Sequence, residues 1–439
     1  YLGASKTHHG TVMVQQASGK FLHVPQPDME RDSMYEDVDA VWADMNNDGY
    51  KDLVIASGGN EFYGNDKHMS PRLYFNDGKN QLVKQDSSFS NLFLTASSVV
   101  AADFNGDGSN DLFIGGRAVP WEYGEIPTSY LLQNDGTGKF TDVTEKLAPG
   151  LSKAGMVTSA AWYDMDKDGD PDLIIACEWG GIEVFLNTTG RFSQKSLTTK
   201  KGWWNFILPV DVNNDGQVDI IAGNLGLNSR LTASPEEPVS LYYNDFDGNG
   251  KKEQVLTYYV GKRELPFVNK DELQKKVPFI KKKFLYAGDF AKASIADIFG
   301  DDKLKKAQVL QADYFSNAVL INKGNMEFST VALPWQAQLT SFRDAVVINA
   351  NDDMLPDFLL VGNYYSNNIQ MGRYDADFGT ILLNTGNGNF RCENAGGLVL
   401  KGQSRRIRPM KMPNRTGYIL ARNNDSVVVL SGVTPVGNK

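Results

Sequence analysis

The sequence predicts an all-β fold, a β-propeller of four-stranded antiparallel blades, on three observations. An acidic nonapeptide, D-x-[DN]-x-[DN]-G-x-x-[DE], occurs five times in 439 residues. Four copies run straight into short apolar, β-rich runs, "LVIASGG", "LFIGG", "LIIAC" and "IIAG", which read as buried strands. Interleaved with them are seven stretches in which an apolar strand, a Gly/Asn/Asp turn and a second strand follow one another as in a β-hairpin. Two inner strands around each loop and two in each hairpin make four strands per unit, at a period of about 50 residues, and repetition of such units is best accommodated as propeller blades. No segment reads as a linker, so residues 1–439 are expected to form one domain.

The elements follow in order. A hairpin starts at Thr11, "TVMVQQASGKFLHV". The loop "DMNNDGYKD" (Asp44 to Asp52) precedes the hairpin "RLYFNDGKNQLV" from Arg72, and "DFNGDGSND" (Asp103 to Asp111) precedes "SYLLQNDGTGKFTDV" from Ser129. The loop "DMDKDGDPD" (Asp164 to Asp172) is followed by "EVFLNTTGRF" from Glu183. After "DVNNDGQVD" (Asp211 to Asp219) comes "SLYYNDFDGNGKKEQVLTYY" from Ser240, whose turn is itself the fifth acidic copy, "DFDGNGKKE" (Asp245 to Glu253). That copy is expected in the outer hairpin of the fourth repeat. Residues 262–306 break the pattern with helical insertions, including "AKASIADIFGDDKLKKA". Leu265, Leu273, Val277 and Ile280 need an apolar surface there, which suits a helix capping one edge; the alternative is a Lys-rich contact with an anionic glycan or membrane. Hairpins from Ala318 and Thr380 complete the set, and "NANDDMLPD" (Asn349 to Asp357) is a degenerate acidic loop with Asn first and Met354 in place of Gly. Counting second strands at "YLGAS", after four acidic loops, and at "AQVLQADYF", "DFLLVGN" and "TGYILARNN" gives eight blades with incomplete terminal ones. Seven is the alternative, if the chain ends share a blade.

The acidic spacing has a chemical reading. Oxygens at positions 1, 3 and 5 of a tight loop converge on one point, the Gly at position 6 takes the positive φ that turns the chain, and the carbonyl of position 7 faces inward. Carboxylates gathered so closely call for a hard cation, and oxygen-only ligation favours Ca²⁺. The expected ligands are Asp44, Asn46, Asp48, Asp52 and the Tyr50 carbonyl; Asp103, Asn105, Asp107, Asp111 and the Ser109 carbonyl; and Asp164, Asp166, Asp168, Asp172 and the Asp170 carbonyl. The last two sets are Asp211, Asn213, Asp215, Asp219 and the Gln217 carbonyl, then Asp245, Asp247, Asn249, Glu253 and the Lys251 carbonyl. About five structural Ca²⁺ sites result. The loops are not EF-hands, since the twelfth position from Asp44 is Ile55. The rival reading is a set of metal-free Asx-turns, which fivefold recurrence disfavours.

Composition restricts the function less than the motifs do. The formal charge is −9, and five divalent cations would bring it to +1, so net acidity is mostly metal ligand. Cys177 and Cys392 have no metal or redox spacing, and Cys177 lies in an apolar strand run as a small buried residue. No apolar run reaches membrane-span length, no signal peptide is visible, and the chain begins at Tyr1, as a mature or truncated piece of a longer protein does. Loops of this kind suit a compartment rich in Ca²⁺. The only histidines are His8, His9, His23 and His68. A lyase or hydrolase on this scaffold would draw on His8, His9 or His68, but no triad, zinc spacing or phosphate loop accompanies them.

By strand order the acidic loops and hairpin turns share one face, and the loops joining second and third strands lie on the other. Those loops concentrate Tyr63, Arg117, Trp121, Tyr123, Trp179, Arg230, Tyr364, Tyr365 and Arg373. Such side chains suit stacking on sugars or anchoring a protein; packing of loop on loop is the alternative.

The acidic loop followed by "DLFIGG" or "DLVIASGG" resembles the FG-GAP/VCBS repeat family, the calcium-loop propellers that include integrin alpha-subunit heads. The flanking text, "GWWNFILPVDVNNDGQVDIIAGNLGLNSR" and "VGNYYSNNIQMGRYDADFG", is similar to the large VCBS-repeat proteins of Bacteroidota related to the ASPIC/UnbV and cartilage acidic protein group. That resemblance implies structural calcium, a bacterial extracellular or outer-membrane location with any anchor upstream, and a protein or glycan partner rather than nucleic acid. It covers nearly the whole chain and leaves the ligand open.

Overall fold

The computed structural model describes residues 1–431 apart from 352, 395, 396, 398, 413 and 414. Strands β1 (Val12–Gln15) and β2 (Phe21–Val24) form a hairpin, followed by the short helix α1 (Pro27–Arg31). A first four-stranded sheet comprises β3 (Asp37–Ala43), β4 (Asp52–Ser57), β5 (Arg72–Asn76) and β6 (Leu82–Lys84). The next holds β7 (Thr95–Ala102), β8 (Asp111–Ala118), β9 (Tyr130–Asn134) and β10 (Phe140–Asp142), and helix α2 (Thr144–Leu147) leads out of it. A third comprises β11 (Met156–Tyr163), β12 (Asp172–Gly180), β13 (Ile182–Thr188) and β14 (Arg191–Ser196), with β15 (Gly202–Trp203) added to β12.

The fourth repeat departs from the expected order. Strands β16 (Phe206–Val210) and β17 (Asp219–Gly223) are followed by β18 (Val239–Asn244), β19 (Glu253–Val260) and β20 (Arg263–Pro266). Helices α3 (Lys270–Lys276), α4 (Phe279–Lys283), α5 (Ala287–Lys292), α6 (Ile295–Phe299) and α7 (Asp301–Lys305) come next, then β21 (Gln308–Ala312), β22 (Ala318–Asn322) and β23 (Phe328–Ala332). β17 does not pair with β18; it pairs with β22, Ile220 opposite Leu320. Both edges of β18 are taken by β19 and β21, so the residues between β17 and β22 form a side sheet of order β20-β19-β18-β21. The fifth acidic loop therefore lies in this side sheet and not in the outer hairpin of the fourth repeat. The insertion at 262–306 is helical only after β20; Leu273, Val277 and Ile280 are fully buried against Phe246, Val255, Phe290 and Phe299, while Leu265 is half-buried. That is the edge-capping arrangement, and Lys275, Lys276, Lys281 and Lys282 face solvent.

The remaining sheets are β24 (Phe342–Ile348), β25 (Asp357–Gly362), β26 (Thr380–Gly386) and β27 (Asn389–Asn394), then β28 (Gln403–Met412), β29 (Arg415–Asn423) and β30 (Val428–Ser431). All seven expected hairpins are antiparallel pairs. Of the second strands counted toward the blades, "YLGAS" contributes one isolated bridge, Leu2 with Thr11, and "AQVLQADYF" supplies β21 of the side sheet.

These antiparallel four-stranded sheets are consistent with propeller blades. Second strands are apolar on both faces because each sheet is packed between two others: Val54 and Ala56 face the β7–β10 sheet, while Leu53 and Ile55 face Met29 and Val12. First strands touch in succession, β3 with β7, β7 with β11, β11 with β16, β16 with β24 and β24 with β28. Polar contacts tie each step: Val99 N–H donates to Asp39 Oδ2 (3.1 Å), Ile207 N–H to Ser159 Oγ (3.3 Å) and Ile407 N–H to Asp344 Oδ2 (2.9 Å). Arg406 reaches Asp39 Oδ1 at 3.3 Å, so Asp39 joins the last sheet to the first.

Candidate functional site

The acidic loops share one backbone design. Position 6 is a Gly at φ 89°, 88°, 96°, 80° and 84° for Gly49, Gly108, Gly169, Gly216 and Gly250, a region that a Cβ disfavours. Its N–H donates to the first Asp in every copy, at 2.8 Å for Asp44, Asp103 and Asp211, 3.1 Å for Asp164 and 2.9 Å for Asp245. In the degenerate loop Met354 takes the same region, at φ 68°.

The ninth residue closes the loop from beneath. Asp52, Asp111, Asp172 and Asp219 are fully buried, and each accepts two backbone N–H groups. For Asp111 the donors are Phe104 (3.3 Å) and Asn134 (2.8 Å); for Asp172 they are Met165 (2.7 Å) and Asn187 (2.7 Å). Asp357 repeats this with Ala350 and Asn384, both at 2.8 Å, so the staple persists where the rest of the motif has decayed. Because the second donor ends the third strand, acidic loop and hairpin turn lie on the same face, as strand order predicts.

That third-strand residue is Asn in all five cases, and in three of them, Asn134, Asn187 and Asn384, it works across sheets. Asn134 Nδ2 donates to the Asn110 carbonyl of its own loop (2.9 Å) and to the Met45 carbonyl of the preceding loop (3.0 Å), while its Oδ1 accepts from Gly136 and Gly138. Asn187 reaches Phe104 O (2.7 Å) and Asn384 reaches Val212 O (2.6 Å) in the same way. The repeated "N" before each hairpin turn carried this signal, and sequence reading passed over it as turn chemistry.

Two loops gather three carboxylates whose oxygens lie within 4.8 Å of one another, Asp164 with Asp166 and Asp172, and Asp245 with Asp247 and Glu253. Asp164 Oδ1 is buried and has no hydrogen-bond partner, an unsatisfied anion of the kind a cation neutralises. The all-oxygen donor sets fit a hard divalent ion. In the loops from Asp44 and Asp211 the third position is Asn, and its Nδ2 bonds the fifth carboxylate (2.9 Å in both), which relieves by hydrogen bonding what charge neutralisation relieves elsewhere. Burial raises the pKa of the ninth residues: Asp111 to about 7, Asp172 and Asp219 to about 6, and Asp52 and Glu253 upward, with neighbouring carboxylates adding to the burial effect. Asp166 is raised by burial and by Asp168, whereas backbone N–H groups from Gly250, Gly248 and Asn249 lower Asp245.

On the opposite face the nine expected residues separate into groups. Arg117 pairs with Glu178 (2.6 Å), Tyr123 OH donates to Glu178 Oε2 (2.8 Å) and Trp179 Nε1 donates to Tyr123 OH (2.8 Å). Trp179 is buried against Trp203, so it packs rather than presents a surface. Tyr364 lies beneath two guanidiniums, and Arg373 stacks on Tyr365 at 3.9 Å. Arg230 is apart, over Phe267 (4.9 Å), lining a cleft of about 420 Å³ between β20 and α5. Trp121 and Tyr63 are exposed, 67% and 71%, on two loops joined by the Trp121 N–H bond to Asn60 Oδ1 (2.9 Å).

The histidines do not converge. His8, His9 and His23 are exposed, and His8 and His9 have no carboxylate partner among the described residues. His68 Nδ1 pairs with Asp66 Oδ1 (2.7 Å) and stacks on Phe62.

Sequence reading missed Arg343 and Arg405. Register shifts lie between Asp37 and Asp39, Ala96 and Ser98, Val157 and Ser159, Phe342 and Asp344, and Ser404 and Arg406. The bulged residues Val38, Ser97, Thr158, Arg343 and Arg405, with Asn205 just before β16, hold equivalent places around the axis where first strands meet. Aligning "VDAVW", "TSAAW" and "RDAVV" would have exposed the position.

Residues 44–114, 123–175 and 164–222 match the FG-GAP-like repeat. No curated protein matches the chain. Similar solved structures include the V. cholerae biofilm matrix protein Bap1, at 10% identity over 90% of this chain and 88% of that one, with a TM-score of 0.32. BBS1N in complex with ARL6DN has 9% identity over 90% and 91%, TM-score 0.33, and the computationally designed Ika8 protein 10% over 90% and 96%, TM-score 0.28. Likeness at this level carries no argument about ligand or partner.

Proposed function

We propose that this chain is a calcium-stabilised, non-catalytic binding module: a propeller of six sheets around one axis, β3–β6, β7–β10, β11–β14, β16-β17-β22-β23, β24–β27 and β28–β30, with the side sheet as an appendage. The observation that carries it is the Asp164, Asp166 and Asp172 cluster with its buried, unpartnered Oδ1. Bound there and in the Asp245 loop, a divalent cation supplies charge neutralisation and cross-links residues at both ends of a turn. Ca²⁺ is favoured over Mg²⁺ by the number of protein oxygens on offer. The other loops, from Asp44, Asp103 and Asp211, are weaker candidates because Asn46, Asn105 and Asn213 stand at the third position, where the favoured loops carry Asp166 and Asp247. The opposite face then serves recognition of a glycan or protein, at the bacterial surface and within an outer-membrane assembly.

The test is thermal unfolding with millimolar Ca²⁺ and with excess EGTA. A transition that stays put on chelation sinks the metal reading. Polysaccharide cleavage is the second reading, favoured by one observation: Glu61, Tyr63 and Asp66 line a single surface cleft next to the His68–Asp66 pair. New unsaturated or reducing ends from acidic polysaccharides, abolished in His68→Gln, would establish it over the first.

A further inference from the structure

Three arginines around the axis face one carboxylate. Arg117 is paired with Glu178, whereas Arg343 and Arg405 have no carboxylate within ion-pair distance among the described residues. Both guanidiniums lie over the ring of Tyr364, at 4.8 and 5.6 Å from its centroid. Arg343 Nη1 donates to Asn205 Oδ1 (2.7 Å), but its Nε is buried with no partner, and so is Nη1 of Arg117. Arg405 makes a single long bond to Gln403 Oε1 (3.4 Å). Burial, with the Arg405 charge second, pulls the Arg343 guanidinium down to about 10. The fold does not require cations here, since the equivalent bulge positions carry Val38, Ser97, Thr158 and Asn205 without disturbing the sheets. Two unneutralised guanidiniums with spare donors on one ring are a cost to the free protein that a bound anion would relieve.

We propose that Arg343, Arg405 and Arg117 hold the carboxylate of a uronic acid unit in an acidic polysaccharide. A guanidinium offers a planar carboxylate charge-assisted N–H donors, and Arg343 Nε and Arg117 Nη1 are each a donor without a partner. The saccharide is favoured over an acidic peptide by the exposed rings of Trp121, four residues beyond Arg117 on the loop that leaves β8, and Tyr63 on the loop tied to it. Flat aromatic faces on the loop that follows Arg117, and on the loop bonded to it, suit sugar rings flanking the charged unit. The inference rests on the reading of this face as a recognition surface and adds the charge class of its ligand.

Calorimetric titration of the chain in calcium, with oligogalacturonate, its methyl ester and an oligoaspartate peptide, tests it. The free acid should bind, and both esterification and Arg405→Gln should weaken binding about tenfold, the equivalent of one lost charge-assisted hydrogen bond. Arg405→Lys keeps the charge and loses the fork, and should fall between. The melting temperature of Arg405→Gln should hold or rise, because one of two repelling cations is gone. Equal binding of acid and ester overturns the inference, and if Trp121→Ala weakens both, the recognition face itself stands. Binding of oligoaspartate alone, dependent on Arg405, overturns the saccharide assignment, and no binding by any probe overturns the inference outright.

Discussion

Asn134→Ala removes a side chain that holds two sheets at once. Its amide makes bonds of 3.0 Å to Met45 O, 2.9 Å to Asn110 O, and 3.1 Å from each of Gly136 and Gly138, and the residue itself is buried. At about 1 kcal/mol net per bond, the loss is about 4 kcal/mol. Asn76 is the internal control, because it heads the corresponding hairpin but has only Lys51 O and Gly78 N–H, each at 3.1 Å. Its replacement by Ala should cost about 2 kcal/mol. With an unfolding entropy of about 2.1 cal/mol/K per residue, a chain of this length loses about 1 °C per kcal/mol, so calorimetry should read shifts of about 4 °C and 2 °C. Equal shifts for the two variants would refute the claim that the Asn of the third strand works between sheets.

Further expectations follow from the same contacts. Saturating Ca²⁺ at about a hundred times its dissociation constant should stabilise the chain by about 2.7 kcal/mol per site, and Asp164→Asn should remove one site's share in a calcium titration followed by melting. Without metal, Asp111, Asp172 and Asp219 bind protons more tightly folded than unfolded, so this contribution to stability is full below about pH 4 and fades as pH rises through about 6 to 7. Urea midpoints in EGTA should therefore carry a component that falls between pH 5 and 7.5, and calcium should reverse it because protons and metal compete. Leu273→Ala, at a side chain 1% exposed, should cost about 2 to 4 kcal/mol in urea unfolding, whereas a solvated helix would lose under about 1. Trp121→Ala should leave the melting temperature within about 1 °C, while Trp179→Ala lowers it by several, since only the second ring is buried and bonded.

Much of the fold was legible because its signals are local. Asn, Asp and Gly at fixed offsets specify turns, and apolar runs on either side specify strands, so all seven hairpins and the bounds of the acidic loops could be read residue by residue. Pairing was not legible in the fourth repeat. Both "SLYYN" and "AVLIN" read as strands that could lie beside Ile220, and it is the side sheet's occupation of both edges of β18 that leaves β22 for β17. The metal loops were legible as a donor pattern, and the two that gather three carboxylates are the two with Asp, Asp166 and Asp247, at position 3.

By itself, then, the sequence determined the strands, the turns and the acidic loops, because each rests on interactions within about ten residues of chain. Tertiary structure alone decided which side chains meet at the axis. Arg343 and Arg405 lie 62 positions apart in sequence, and they share the Tyr364 ring because a bulge in each first strand turns one residue toward a common centre. A bulge is a one-residue change of register, invisible in apolar alternation and settled only by the partner strand, and through it the fold brings two unremarked arginines onto one ring.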